Sequence, residues 1–347
     1  MIFRDSNHLP IENKQDTERL LNSVKEFAQR LAPAEWQEKI DNIYQNLTVV
    51  TFDIDTKTHK QKVDGELLEA KMFNAAAHKF RDNIDMEEYT CTQGIAIHPD
   101  GSSQHVIVHE ALHAFSDEIG RNDDGCFIKC GAHFRQKDKS GAKLIVDRGS
   151  DLTESITDAL ASRFREKLGP NGGASYADNV IVADLLMGKN IENNLFLQNV
   201  HWGDGKEFTT DFNNTINSAN VKFEDYYDNF RVVSSDNASE LLKGAIEYGL
   251  RKTETSANLE DVYSFQKEVL NLYKDGGVVT NFMDDENIEM IEDVAEFADK
   301  IKQEHKINLL KNRTNTSIAK APYKSSQRLS EIDLTTLKFV QNNKENR

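Results

Sequence analysis

The most informative segment of this chain is Val106-Ile107-Val108-His109-Glu110-Ala111-Leu112-His113-Ala114-Phe115. It contains a His-Glu-x-x-His sequence framed by apolar residues. Residues four apart lie on the same face of a helix, so His109 and His113 can reach one metal ion. The apolar neighbours can anchor the helix in a core. The pattern therefore predicts a buried, metal-binding helix that runs to about Ile119.

Glu110 supplies the base that a hydrolytic metal site needs. It lies one position round the helix from His109 and can lean over the open coordination position. There its carboxylate would take a proton from the metal-bound water, whose pKa the metal lowers towards neutral. The alternative is that His109 and His113 are two unrelated histidines of a surface or core helix. The apolar flanks favour the zinc site, because an ordinary surface helix would carry more charge there.

A second helix offers a third ligand, since catalytic zinc usually takes three protein ligands and keeps the fourth position for water. The periodicity predicts a helix over residues 152–168, in which Glu154 and Asp158 share a face. We expect Glu154 to bind the metal. We expect Asp158 to accept the outer N–H of a ligand histidine, which fixes its tautomer. The alternative for Glu154 is an exposed helix carboxylate that contacts solvent.

These two helices resemble those of the gluzincin metallopeptidases, the thermolysin-like group, in which His-Glu-x-x-His is followed by a helix bearing Glu-x-x-x-Asp. The resemblance covers roughly residues 91–165. It implies an α+β fold with a zincin-like core, made of a small sheet, the motif helix and the Glu154 helix, with additional C-terminal helices. It also implies that Glu154 is the third zinc ligand and that Asp158 supports the site. Thr153 departs from the Asn of many members, which puts the support of the substrate backbone in doubt.

The resemblance also implies a group that stabilises the oxyanion of the reaction, because gluzincins supply a Tyr or His from the downstream helical region. The candidates are Tyr176, His201, Tyr226 and Tyr227. We favour Tyr176, because it lies on the helix that follows the Glu154 helix. The alternative for each is a packed aromatic ring or a surface histidine.

Four regions are predicted along the chain. Residues 1–44 are expected to be helical, residues 45–235 to form the zincin-like catalytic domain, residues 236–310 to add further helices, and residues 311–347 to be a basic, loosely ordered tail. Helical periodicity predominates after residue 150.

Within the catalytic domain the residue types predict several strands and one further helix. β-Branched and aromatic residues indicate strands at 47–52, 90–98, 126–134 and 142–146, and a helix is indicated at 65–80. Residues 94–98 are expected to form an edge strand. An extended peptide could add to such a strand by main-chain hydrogen bonds, which favours a peptidase over an enzyme of small molecules.

Charge and cysteine content argue against two classes of protein, those that bind nucleic acid and those built on disulfides. The net charge of −16 disfavours nucleic acid as a partner, because phosphate binding needs a basic surface. Residues 311–347 carry eight Lys and Arg against three Asp and Glu, a balance of +5, so the preceding chain carries −21. Three cysteines argue against a disulfide framework, and we expect Cys126 and Cys130 to be reduced thiols in a strand or turn.

The location is inferred from segments that the sequence lacks. We find no apolar run of bilayer length and no basic start followed by an apolar core, so we predict neither a transmembrane segment nor a cleavable signal peptide. The expected location is the cytoplasm, or outside the cell after export without such a signal, including delivery into a host cell.

The sequence as a whole predicts a zinc metallopeptidase that acts on a protein or peptide. One hypothesis is a bacterial effector protease with a single protein substrate, whose cleavage product in host lysate would disappear with Glu110→Gln. Two alternatives remain open: a zinc amidohydrolase acting on small amides, and a non-catalytic binding module with a structural or vestigial zinc site. The oligomeric state is not predicted.

Overall fold

The structure is a computed structural model of the chain. It describes residues 2–4, 14–51, 53–55, 60–63, 66–68, 77–85, 90–97, 104–140, 143–166, 177–187, 206–221, 238–274 and 285–319. These residues form both helices and sheets, which confirms a mixed α+β composition. The zincin-like arrangement within that class remains a prediction.

The described strands are short. They are β1 Ile2–Arg4, β2 Thr48–Thr51, β3 Asp53–Asp55, β4 Lys60–Val63, β5 Glu66–Leu68, β6 Ala77–Asp85, β7 Thr90–Ile97, β8 Asp117–Asn122, β9 Gly125–Cys130, β10 His133–Asp138 and β11 Leu144–Arg148. One sheet has the order β1-β2-β7-β6, in which β1 and β7 are parallel to β2, and β6 is antiparallel to β7. A second, antiparallel sheet has the order β11-β10-β9-β8, and a third has the order β3-β4-β5.

The described helices alternate with groups of these strands along the sequence. They are α1 Lys14–Leu31, α2 Ala34–Asn46, α3 Gln104–Phe115, α4 Ser150–Glu166, α5 Ala177–Met187, α6 Lys206–Thr215, α7 Ala238–Arg251, α8 Ser256–Lys274 and α9 Asp285–Ala319. None of the helices described combines the length and apolar character that crossing a membrane requires. Helix α6 was not predicted.

The motif helix α3 is buried, as the sequence predicts. It packs against α1, α2, α4, β6 and β7. Val108, Leu112 and Phe115 have no exposed surface, and they form the apolar anchor expected from the pattern. Leu152 and Ile156 of α4 are equally buried, so the core lies between the two helices that carry the predicted ligands.

Helix α3 is shorter than predicted. It ends at Phe115, and Ile119 belongs to strand β8. The Ser116 hydroxyl donates to the carbonyl of His113 at 3.2 Å and satisfies one free carbonyl of the last turn. The next residue, Asp117, is completely buried and bonded to side chains from β6 and β7. These tertiary bonds end the helix where local periodicity would continue it.

The edge of the first sheet also differs from the prediction. Strand β7 contains residues 94–97 and lies between β2 and β6, so it is an interior strand. Its Ile95 and Ala96 are completely buried, as expected of a strand covered on both faces. The edge next to α3 is β6. The predicted helix over residues 65–80 is wrong where it is described, because Glu66–Leu68 and Ala77–Phe80 are in strands, the latter through pairing with β7.

Two further predictions concern the second sheet and the C-terminus. The predicted strands at 126–134 and 142–146 correspond to β9, β10 and β11. The chain divides into two compact units, residues 1–305 and 306–347. In the second unit the helix α9 continues to Ala319, so the first part of the predicted loose tail is helical, and residues 320–347 lie outside the described part of the chain.

Candidate metal centre

The two motif histidines and the predicted third ligand converge on one point. His109 Nε2 lies 2.9 Å from Glu154 Oε2 and 3.0 Å from His113 Nε2. His113 Nε2 lies 3.2 Å from the same oxygen of Glu154. Both imidazoles are buried, while the Glu154 side chain keeps 31% of its surface exposed. The site is therefore held in the core and opens towards solvent on the side of Glu154.

This group could hold a metal ion. In a tetrahedral site with bonds of about 2.0–2.1 Å, the ligand atoms would stand about 3.3 Å apart, which is close to the three separations observed. The donor set, two imidazole nitrogens and one carboxylate oxygen, is typical of zinc and its first-row neighbours, whereas calcium and magnesium prefer oxygen donors. Among the residues described, these three form the one group of His, Cys, Asp or Glu compact enough for a metal.

Asp158 lies behind His109, on the side away from His113 Nε2 and Glu154. Its Oδ1 is 3.4 Å from His109 Nδ1 and 2.5 Å from His105 Nε2. The carboxylate is completely buried, one helical turn after Glu154 on α4. It is placed where a carboxylate can orient His109 so that Nε2 faces the metal position. The sequence predicts that Asp158 accepts the outer N–H of a ligand histidine, and this role stays a prediction.

A third histidine of α3, His105, lies one turn before His109 and is buried. It is 1% exposed and bonded to Asp158. The spacing carried a signal, because His105, His109 and His113 are each four residues apart on one helical face. His105 shares the Asp158 carboxylate with His109 and therefore belongs to the surroundings of the candidate metal centre.

A thiol lies behind His113, next to its other ring nitrogen. Cys130 Sγ, at the end of β9, is 3.6 Å from His113 Nδ1 and 3.4 Å from the His113 carbonyl oxygen. Thr157 Oγ1 of α4 is 3.5 Å from the same nitrogen. All three cysteines are free, and two lie in β9, which confirms reduced thiols in a strand. No local sequence pattern indicated that Cys130 contacts His113, because the contact depends on how β9 packs against α3.

Thr153 has a different role from the one left in doubt by the sequence. Its hydroxyl donates to the carbonyl oxygen of Cys130 at 3.0 Å and accepts from the backbone N–H of His133 at 2.6 Å. It therefore fastens the turn between β9 and β10 to α4. Because the bond is made to Cys130 itself, Thr153 also fixes the position of the thiol beside His113.

The pKa values reflect how closely opposite charges are packed here. Burial lowers the pKa of His109, but bonds to Asp158 and Glu154 outweigh it and raise that pKa to about 9. For His113 burial is again outweighed, chiefly by attraction to Glu154, and its pKa is raised. Burial raises the pKa of Glu154, but attraction to His113 and bonds from both imidazoles hold it well below its usual range. The centre thus attracts positive charge, which a divalent cation would supply.

Glu110, the predicted base, contacts the edge of the sheet. Its Oε2 accepts a hydrogen bond of 2.7 Å from the backbone N–H of Lys79 on β6. In an antiparallel edge strand, alternate residues direct their N–H and C=O groups away from the neighbouring strand. The Lys79 N–H is one of these outward groups, so Glu110 lies directly against the edge of β6 that pairs with no other described strand.

A buried carboxylate holds this edge in place. Asp117 accepts from Lys79 Nζ at 2.5 Å, from Arg81 Nε at 2.6 Å and from Gln93 Nε2 at 2.8 Å, and it also accepts from Arg81 Nη2. Burial raises the pKa of Asp117, but attraction to Lys79 and bonds from Arg81 outweigh it and lower the pKa. Lys79 Nζ also lies 3.6 Å from Cys130 Sγ. Sequence reasoning did not find this cluster, since its members come from three separate elements.

The remaining predicted site residues lie outside the described part of the chain. These are the candidates for oxyanion stabilisation, Tyr176, His201, Tyr226 and Tyr227. Tyr176 directly precedes α5, which begins at Ala177.

Comparisons of the chain with known protein families, with curated proteins and with solved structures found no match. The chemistry of the centre therefore has to be inferred from its own residues.

Proposed function

We propose that this chain is a zinc-dependent metallopeptidase of the gluzincin kind. The observation that carries the proposal is the convergence of His109, His113 and Glu154 at separations of 2.9–3.2 Å, with Glu110 next to His109 on the same helix. A site built only for structure closes its coordination shell with four protein ligands and needs no carboxylate beside it. Three ligands with an adjacent base are typical of a hydrolytic centre.

Zinc is the metal that these residues suit best. Two neutral imidazoles and one carboxylate are an established donor set for catalytic zinc. Bound there, the ion would supply Lewis acidity, polarising a substrate carbonyl and making water a better nucleophile near neutral pH. Asp158, within 3.4 Å of His109 Nδ1, supports the tautomer in which Nε2 is free to bind it.

Glu110 would act first as general base and then as general acid. Its carboxylate accepts one proton from the attacking water as the water oxygen adds to the carbonyl carbon. It then delivers that proton to the amide nitrogen as the C–N bond breaks. The hydrogen bond from the Lys79 N–H holds Oε2 at a fixed place while the proton is transferred.

The edge of β6, unpaired among the described strands, favours an extended peptide as substrate. The strand has nine residues, and one of its outward N–H groups lies at the base. A peptide that adds to this edge by main-chain hydrogen bonds would pass directly beside Glu110. A small amide would make no use of such an edge. We retain Tyr176 as the proposed oxyanion donor, because it directly precedes the helix that packs on α4.

The experiment that tests the proposal compares wild type with Glu110→Gln. Each full-length protein is reconstituted with zinc, analysed for metal and incubated with a peptide library, and the products are identified by mass spectrometry. We expect about one zinc per chain in both proteins, since Glu110 is not a ligand. We expect cleavage by the wild type and a rate at least 100-fold lower in the variant, as is usual when a general base is lost.

Other outcomes separate the rival functions. Cleavage that is equally fast in Glu110→Gln would overturn the role of the base. Hydrolysis of short acyl amides without cleavage of any peptide would favour the small-amide hydrolase. Zinc binding with no hydrolysis of either substrate class would favour the non-catalytic binding module.

A further inference from the structure

The second metal ligand is supported differently from the first. A histidine that binds a metal through one ring nitrogen needs a partner at the other, because that partner fixes the tautomer and the ring orientation. For His109 the partner is the carboxylate of Asp158. For His113 the groups at Nδ1 are the Cys130 thiol at 3.6 Å and the Thr157 hydroxyl at 3.5 Å.

The geometry favours the Cys130 thiol over the Thr157 hydroxyl as the hydrogen-bond partner of His113 Nδ1. Sulfur is larger than oxygen, so 3.6 Å is an ordinary contact for a hydrogen bond to sulfur, whereas 3.5 Å is long for one to oxygen. The thiol also reaches His113 twice, since Sγ can accept from Nδ1–H and its own S–H can donate to the His113 carbonyl at 3.4 Å. Thr157 lies within a helix, where a threonine hydroxyl has a competing carbonyl one turn earlier.

Several polar contacts hold the Cys130 thiol in place. It is 5% exposed, and Ser116 Oγ and Lys79 Nζ each lie 3.6 Å from the sulfur. The carbonyl of Cys130 is bonded to the Thr153 hydroxyl, which fastens the end of β9 to α4. A group fixed in this way can hold His113 in one orientation at little entropic cost.

We propose that Cys130 is the positioning residue of His113 and sets the metal affinity of the centre, as Asp158 does through His109. The proposal rests on the proposed zinc site. In this role the Cys130 sulfur accepts a hydrogen bond from Nδ1–H of His113. The proton therefore stays on Nδ1, and Nε2 is free to bind the metal.

The test measures zinc affinity of the full-length protein by competition with a chromophoric chelator. Five proteins are compared: wild type, Cys130→Ala, Cys130→Ser, Thr157→Val and the control Cys126→Ala, which changes a half-buried thiol on the same strand. We expect Cys130→Ala to bind zinc about 10- to 100-fold more weakly. Cys130→Ser, which keeps an acceptor, should recover most of the affinity. Cys126→Ala should bind like the wild type.

A second measurement separates positioning from general packing. With Co²⁺ in place of zinc, the visible absorption bands report the orientation of the ligands. We expect shifted bands in both Cys130 variants and unshifted bands in Cys126→Ala. If Cys130→Ala does not fold, Cys130→Val takes its place, because valine fills the space without a hydrogen-bonding group.

The outcomes distinguish this proposal from the proposed function. Affinity and Co²⁺ bands of Cys130→Ala equal to those of the wild type would overturn it, as would a loss seen only in Thr157→Val. Weakened zinc binding in Cys130→Ala, with no hydrolysis of any peptide by the wild type, would uphold it and overturn the peptidase. A wild-type protein that binds neither metal would overturn both.

Discussion

The backbone N–H of Lys79 donates a hydrogen bond of 2.7 Å to Glu110 Oε2. This bond joins the edge strand β6 to the residue proposed as the base. The side chain of the same lysine bonds to Asp117 at 2.5 Å and lies 3.6 Å from the Cys130 sulfur. One residue therefore contacts the proposed base Glu110, the buried carboxylate of Asp117, and the Cys130 thiol beside His113.

The backbone bond can be tested apart from the side chain. Lys79→Ala removes the side chain and keeps the N–H, whereas Lys79→Pro removes both. Proline is tolerated on an edge strand where the N–H does not serve the sheet. A hydrogen bond to a charged group contributes about 1.5–3 kcal/mol. We therefore expect kcat/KM for a cleaved peptide to be at least about tenfold lower in the proline variant than in the alanine variant.

The comparison has a clear control. Zinc content should be the same in both variants, since Lys79 is not a ligand, and circular dichroism should show that both are folded. Equal kcat/KM in the two variants would mean that the Lys79 N–H contributes nothing to catalysis by Glu110.

Asp117→Asn is expected to destabilise the protein strongly. The carboxylate is completely buried and paired with Lys79 and Arg81, and breaking a buried pair by changing one partner costs about 3–5 kcal/mol. The control is Asp147→Asn, because Asp147 is one-third exposed and pairs with His133 and Arg135 on the surface. Urea unfolding at pH 7 should show a loss of about 1 kcal/mol or less for the control.

The destabilisation caused by Asp117→Asn should depend on pH, because the pKa of Asp117 is lowered in the folded protein. A carboxyl whose pKa is lower in the folded state stabilises the protein above its unfolded value, near 4, and loses this contribution as the pH falls through the folded value. The difference between wild type and Asp117→Asn should therefore be constant from pH 8 to 5 and shrink below pH 4. A difference that grows on acidification would contradict this assignment.

Local periodicity was enough to predict the three side chains that meet at the candidate metal centre. His109, His113, Glu154 and Asp158 follow the four-residue spacing of a helix, and that spacing is written in the sequence. The structure brings His109, His113 and Glu154 together because α3 and α4 each have an apolar face, formed by residues such as Leu112 and Ile156, that packs into one core.

Features that depend on pairing between distant segments could not be predicted. Residues 77–80 have a composition compatible with a helix, and they become a strand because β7 offers hydrogen bonds to them. The edge strand was misplaced for the same reason. The contact of Cys130 with His113 requires the packing of β9 against α3, and Asp117 ends α3 only because Lys79 and Arg81 reach it from β6.

Asp158→Asn should weaken zinc binding without removing a ligand. Asn keeps the size of the side chain but loses the charge that attracts the Nδ1 proton of His109, so we expect an affinity about 10- to 100-fold lower. In the described part of the chain His105 reaches the candidate metal centre through Asp158, so His105→Ala should lower the zinc affinity less than Asp158→Asn. Chelator competition measures both. An affinity in Asp158→Asn equal to that of the wild type would show that His109 is oriented without it.

The last prediction concerns a buried carboxylate far along the chain from the metal ligands. Glu247, on α7, is completely buried and accepts backbone N–H groups from Asn217, Ser218 and Ala219 at 2.9–3.2 Å, together with Arg251 Nε at 2.6 Å. Burial raises its pKa, but these bonds outweigh it and lower the pKa. The Glu247 carboxylate thus joins the segment after α6 to α7.

Glu247→Gln should destabilise the helices after α5 by about 2 kcal/mol or more, because the glutamine amide presents donors to groups that are themselves donors. Since residues 1–305 form one compact unit and α7 packs on α5, calorimetry should show a single transition at a lower temperature. Zinc affinity at 25 °C should stay unchanged, because the partners of Glu247 lie between residues 217 and 251 and include none of the ligands. Two separate transitions would instead mean that the helices after α5 unfold independently of the metal centre.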